Sequence, residues 1–291
     1  MQPRSRYATC AGYEIHYTEW GAPEAPVVMA WHGLARTGRD MDPLAAHLAG
    51  QGYRVICPDT LGRGLSQWSR DPVHDYQLRF YARLAAQLFE QLGIARAHWV
   101  GTSMGGAIGT VCASGLFEPQ MKTRIASLVL NDNAPELAQP ALERIQAYAG
   151  TPPAFDTVQE LEAFFRSAYQ PYGWLSDAQW RQLTETSVRR LPDGRVTPHY
   201  DPAIIGQLTH HSGDYRIWAH YDALDIPVLL LRGAQSDLVL QTTAAQMAQR
   251  GPGAKGLLEQ VEVPGCGHAP ALNVQAQWAP VLRTLRRAER V

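Results

Sequence analysis

Short, nearly continuous apolar runs alternate along this chain with longer segments in which apolar residues recur every three or four positions. The runs are Val27–Trp31, Tyr53–Cys57, Ala97–Val100, Ile125–Leu130, Val228–Leu231 and Leu258–Val263. Each has the length of a strand, and continuous rather than alternating apolarity predicts burial on both faces. The helical spacing is clearest over Tyr76–Leu92, where Leu78, Tyr81, Leu84, Ala85, Leu88 and Leu92 share one face and Gly93 ends the segment. Further helices are predicted over Asp40–Gly50, Gly106–Ala113, Thr242–Gln249 and Val274–Arg287. Before them, Tyr7–Cys10 and Tyr13–Trp20 read as a hairpin through Ala11-Gly12. The eight strands so counted, with helices between them, predict an α/β fold: a mostly parallel eight-stranded sheet covered on both faces. In such a sheet, ligands bind at the carboxyl ends of the strands. The loops after Trp31, Cys57, Val100 and Leu130 then share one face.

The rhythm breaks between Asn133 and Trp218. This stretch carries eight prolines, from Pro135 to Pro202, and helical segments over Ala141–Tyr148, Val158–Tyr169 and Ser176–Val188. Pro192-Asp193-Gly194 marks a tight turn. No run in it resembles the buried strands. It reads as an inserted helical cap, residues 133–218, on a core made of residues 1–132 and 219–291.

Composition narrows the partners. The 291 residues include 26 basic and 27 acidic side chains, which offers no electrostatic case for nucleic acid or an anionic membrane. No apolar run is long enough to span a bilayer, and Met1–Cys10 lacks the apolar core of a secretory signal. A cytoplasmic protein, monomer or homodimer, is expected. Cys10, Cys57, Cys112 and Cys266 have no framework spacing and are expected to be free thiols.

The chemistry concentrates at Gly101-Thr102-Ser103-Met104-Gly105, which lies between a predicted strand and a predicted helix. A serine on such a turn presents its Oγ at the edge of a sheet, where a nucleophile is useful. Serine needs a base within hydrogen-bond reach, and the base needs an orienting carboxylate. Two late strands run into suitable loops: Val228–Leu231 into Ser236-Asp237, and Leu258–Val263 into Gly267-His268.

With His32-Gly33, the Gly101–Gly105 elbow, Ser236-Asp237 and Gly267-His268 in this order, the chain resembles the α/β-hydrolase superfamily of serine esterase and lipase type across nearly its whole length. The resemblance implies Ser103 as nucleophile, His268 as general base and acid, and Asp237 as orienting carboxylate. It also implies backbone N–H groups of Leu34 and Met104 as the oxyanion hole. Asp132 is the rival acid, because some relatives place it after the sixth strand. The implied reaction is hydrolysis of a small-molecule carboxylic ester through an acyl-enzyme, without cofactor. The overall pattern, including the Arg190–Arg195 turn, is similar to that of bacterial intracellular hydrolases acting on short hydroxyalkanoate oligomers. Alternatives on the same triad are perhydrolysis and carbon–carbon bond hydrolysis; a noncatalytic binding protein of this fold is the alternative from another class. Epoxide hydrolases and haloalkane dehalogenases are disfavoured, since they use aspartate at the elbow.

Other candidates read as structural. His32 shapes the oxyanion loop, and the Asp59–Ser66 loop resembles a structural turn of the superfamily. His210, His211, Asp214 and His220 match no zinc spacing, so no metal is expected. Substrate contacts are sought in the cap among Phe165, Tyr169 and Trp174, against the simpler reading that such aromatics pack the cap onto the core. Arg36 is a candidate for a substrate carboxylate, although an arginine after the oxyanion loop reads first as a solvated surface side chain.

Overall fold

The computed structural model describes residues 2–290. Strands β1 (Arg4–Cys10) and β2 (Tyr13–Trp20) form the hairpin, turning through Ala11 and Gly12. Next come β3 (Val27–Trp31), β4 (Arg54–Pro58), β5 (Ala97–Thr102) and β6 (Ile125–Asn131). After a long intervening segment come β9 (Val228–Gly233) and β10 (Leu258–Val263). These eight form one sheet in the order β1-β2-β4-β3-β5-β6-β9-β10. Only the β1–β2 and β2–β4 pairings are antiparallel.

The continuous apolar runs have a direct packing explanation. Successive residues of a strand point to opposite faces, and both faces are covered here. Leu128, Leu130 and Leu230 enter one buried cluster with Leu84 and Leu88 of the helix Leu78–Gln91. Val129, Leu229 and Leu231 enter the other, with Leu44 and Leu48 of Asp42–Gly50 and Val281 and Leu285 of Gln275–Ala288. All four cysteines are buried and unpaired. Among the described residues, no helix is long and apolar enough to cross a membrane.

Between β6 and β9 lie the helices Gln139–Ala149, Val158–Ala168 and Asp177–Glu185. The last two begin in capping boxes, at Thr157 with Glu160 and at Ser176 with Gln179, which satisfy N–H groups the helix itself cannot. This segment also contains a hairpin that the apolar pattern does not predict, β7 (Val188–Arg190) and β8 (Val196–Pro198), closed over Pro192–Gly194. Each strand is three residues long and β7 carries two arginines, so neither leaves an apolar run. Leu161, Phe165, Tyr169, Trp180, Leu183 and Val196 form a separate small core. The first helix differs: Ala141, Ile145 and Ala149 pack into the main cluster.

Candidate active site

β5 delivers Ser103 through a sharp turn into the helix Met104–Ser114. Ser103 takes φ 51° and ψ −118°, a conformation rare for any residue but glycine. The flanking glycines make the turn possible. A Cβ on Gly101 would lie 2.2 Å from the carbonyl carbon and oxygen of Gly105, and one on Gly105 would lie 2.3 Å from the carbonyl oxygen of Trp31. Ser103 stands at the N-cap of this helix, but its hydroxyl makes no capping hydrogen bond. Ser103 lines a cavity of about 360 Å³ together with Leu34, Arg144, Tyr169, Asp237 and His268.

His268 follows β10, and its Nδ1 lies 2.7 Å from Oδ2 of Asp132. Asp132 has no exposed surface and directly follows β6. Its Oδ1 accepts from the Gly233 N–H at 2.9 Å, and its Oδ2 also accepts from the Ser236 hydroxyl at 2.6 Å. With Nδ1–H given to the carboxylate, the neutral imidazole keeps Nε2 as its free base. Asp132 and His268 reach each other across the end of β9. The crossing needs a bare backbone at Gly233, where a Cβ would lie 2.2 Å from the Gly267 carbonyl oxygen.

Asp237, the carboxylate expected from the resemblance, is not beside His268. It is half-exposed and forms an ion pair with Arg144. The preceding residue, Ser236, turns inward to Asp132, and its Oγ also accepts from the N–H groups of Leu238 and Val239 at 3.3 and 3.1 Å. That turn sends Asp237 outward. The rival acid, Asp132, occupies the orienting position instead.

The two oxyanion candidates flank the elbow differently. Gly106 N–H makes the first intrahelical bond, to Ser103 O, so the Met104 N–H precedes the ladder at the positive end of a helix. Leu34 lines the cavity beside it. A buried guanidinium that the sequence reading left in a structural turn braces both residues. Arg63 Nε donates to Leu34 O at 2.8 Å, Nη1 donates to Leu61 O and the Tyr81 hydroxyl, and Nη2 contacts Met104 Sδ at 3.5 Å. His32 is fully buried, with Nδ1 2.6 Å from Gly33 O and Nε2 accepting from the Thr60 N–H. Burial lowers its pKa to about 4, so it is neutral and structural near neutral pH.

The remaining predicted contacts divide. Arg36 and Tyr169 line the cavity. Arg36 is not a surface side chain; it is 4% exposed, against the expectation of solvation. Phe165 is fully buried behind it, ring against guanidinium at 5.2 Å. Trp174 is 72% exposed, and its carbonyl accepts from Asn273. Gly173, at φ 91°, swings the chain outward before it, which explains the departure from the sequence reading. Arg144 is a cavity residue that the sequence reading missed, and nothing in the periodicity marks it.

Two other clusters resolve. His211 contacts the Val73 carbonyl, Asp214 accepts from Leu78 N–H, and His220 contacts Ser114 Oγ, so these residues serve different neighbours. Elsewhere a second serine–histidine–aspartate chain is fully hydrogen-bonded. Ser5 Oγ lies 2.8 Å from His16 Nε2, and His16 Nδ1 lies 2.7 Å from Asp59 Oδ2. Burial pushes the Asp59 carboxyl up, but the His16 hydrogen bond and charge more than offset this and hold it below the usual carboxylate value. Asp59 also accepts from the N–H groups of Gly38 and Leu65.

Residues 26–273 match the family described as alpha/beta hydrolase fold. The chain is 39% identical over 291 aligned residues to the 3-hydroxybutyrate-oligomer hydrolase of Cupriavidus necator, covering 95% of this chain and 96% of that one. It is similar to the crystal structure of an alpha/beta hydrolase from Novosphingobium aromaticivorans, with TM-score 0.84, 34% identity and 98% of both chains covered. It is also similar to a hydrolase structure from Rickettsia typhi, with TM-score 0.85, 26% identity and 99% of both chains covered.

Proposed function

The chain belongs to the α/β-hydrolase family and is an esterase-type enzyme of it, and on that premise we propose that it hydrolyses carboxylic esters of short hydroxyalkanoate oligomers through a Ser103–His268–Asp132 triad. The observation that carries the reading is the buried Asp132 holding Nδ1 of His268 at 2.7 Å, with His268 and the strained Ser103 lining one cavity. The substrate class is supported by similarity, along nearly the full length, to an enzyme named for 3-hydroxybutyrate oligomers.

In this mechanism His268 Nε2 takes the proton of Ser103 as Oγ attacks the ester carbonyl. Asp132 stabilises the imidazolium and keeps its tautomer. The negative charge that develops on the carbonyl oxygen is met by the N–H groups of Leu34 and Met104, each donor contributing about 3 kcal/mol in comparable sites. The alcohol leaves with the proton from His268. Water, deprotonated by the same ring, then releases the acid. The substrate is a small molecule; neither nucleic acid nor membrane takes part. Residues 133–218 act as the cap that selects the substrate.

The test is turnover of 3-hydroxybutyrate dimer and p-nitrophenyl butyrate by purified protein, with Ser103→Ala as the comparison. Both esters should be cleaved, and the variant should fall to background with an unchanged circular dichroism spectrum. Cleavage of a vinylogous diketone but of neither ester would replace this reading with carbon–carbon hydrolysis.

A further inference from the structure

Arg36 lines the cavity that holds the proposed nucleophile, and one of its nitrogens is unused. Nε and Nη2 form a two-pronged pair with Asp40, both at 2.7 Å, and Nη2 also donates to Ser187 Oγ at 2.9 Å. Nη1 is buried and has no hydrogen-bond partner. The residue is 96% buried, since only 4% is exposed, and its guanidinium lies 4.6 Å from the Tyr169 ring centroid and 5.2 Å from that of Phe165. Burial opposes its charge, but Asp40 more than compensates, so the group stays cationic. A buried donor without an acceptor costs stability. Two N–H groups kept dry beside a cavity are therefore a recognition feature: a planar anion that reaches them meets donors already stripped of water and fixed in direction.

Arg144, the other arginine lining the cavity, does not offer the same opportunity. It is half-exposed, and both its terminal nitrogens are engaged by Asp237. Arg36 stands two residues beyond Leu34, on the same loop as the proposed oxyanion donor, so an anion held there is tied rigidly to the reacting carbonyl.

We infer that Arg36 Nη1 binds the free terminal carboxylate of the substrate on the alcohol side of the scissile ester. The inference rests on the esterase reading and deepens it. In a hydroxyacid oligomer, the alkoxy oxygen of every ester leads toward the free carboxylate end. Holding that carboxylate at one place puts the ester nearest it against Ser103. The Oγ–carbonyl carbon bond forms and the carbonyl carbon–alkoxy oxygen bond breaks. The serine proton passes through His268 to the leaving alkoxide, and the first product released is the carboxyl-terminal hydroxy acid. Because Asp40 already balances the arginine's charge, recognition depends on the direction of the N–H groups rather than on net charge.

The experiment compares kcat/KM for 3-hydroxybutyrate dimer and for its methyl ester at the carboxyl end. Wild-type protein should prefer the free acid by about 10- to 100-fold, chiefly through KM. In Arg36→Met/Asp40→Asn, which removes both halves of the ion pair, that ratio should collapse toward one. Arg36→Lys should not restore it, since lysine keeps the charge but has no second nitrogen. Equal wild-type turnover of acid and methyl ester overturns the inference while leaving the esterase reading intact. So does a preference that survives in the double variant. Failure to cleave either ester, or p-nitrophenyl butyrate, overturns the esterase reading and this inference with it.

Discussion

Two serine–histidine–aspartate sets occupy this molecule, and the one with the more complete hydrogen bonding is the one without catalytic geometry. Ser5, His16 and Asp59 are linked end to end at 2.8 and 2.7 Å. Yet Ser5 lies in the regular ladder of the edge strand β1, opposite Thr18, and is exposed to solvent. Ser103 sits at a strained elbow, beside a helix N-terminus, in a cavity it shares with a histidine whose Nδ1 is held by a buried carboxylate. The difference teaches that three residue types in hydrogen-bonded sequence do not make a nucleophile. Donors for the developing oxyanion and room for a carbonyl do. In the first set, the same bonds fasten the hairpin β1–β2 to the loop after β4.

The contrast can be broken most sharply at the serines. Ser103→Ala should reduce ester turnover by about 10⁴-fold or more, whereas Ser5→Ala should leave kcat/KM within about twofold; steady-state kinetics on one ester decides both. Next come the carboxylates. Asp132→Asn should lower kcat by about 10³- to 10⁴-fold, because the amide favours the wrong imidazole tautomer. Asp237→Asn should cost less than about tenfold, and a loss equal to that of Asp132→Asn would break the assignment. Arg63→Met should lower kcat by about 10- to 100-fold, with a smaller change in KM, by loosening Leu34 and Met104 together.

His16→Asn tests the other set. It should leave kcat near wild type but reduce unfolding stability by about 2–4 kcal/mol, since it strips a buried carboxylate of its main partner; denaturant melts measure this. The smallest effect is a pH dependence of stability. The folded pKa of His32, about 4, lies below its ordinary value of 6.5. The unfolded chain therefore binds more protons between these values, and stability falls as pH drops through that window. Asp59 adds a loss only below its ordinary 3.8, as its depressed folded pKa is crossed. His32→Gln should flatten the melting-temperature profile between pH 6.5 and 4 without altering the part below it.

The sheet was legible because burial on both faces leaves a run that few other structures leave: Val228–Leu231 has no polar residue to place on a solvent side. The elbow was legible because its glycines are demanded by contacts of 2.2 and 2.3 Å. The acid was not settled by the same route. Ser236 and Asp237 are adjacent, and which of them turns inward depends on a loop conformation that neither periodicity nor spacing encodes. For Arg36 the sequence leaves a substrate contact and a solvated side chain both open, because the rings that bury it, Phe165 and Tyr169, stand about 130 residues further along the chain. The hairpin β7–β8 was too short and too charged to leave a pattern.

The bond between His268 and Asp132 joins residues 136 positions apart. Ser103 precedes that interval, Asp132 opens it and His268 closes it. A chain emerging from the ribosome therefore carries Ser103 and Asp132 long before it carries His268. Only when β10 has docked beside β9 can the loop beyond it cross Gly233 and bring the imidazole into place. On the proposed triad, turnover therefore requires this last strand of the sheet to be in place.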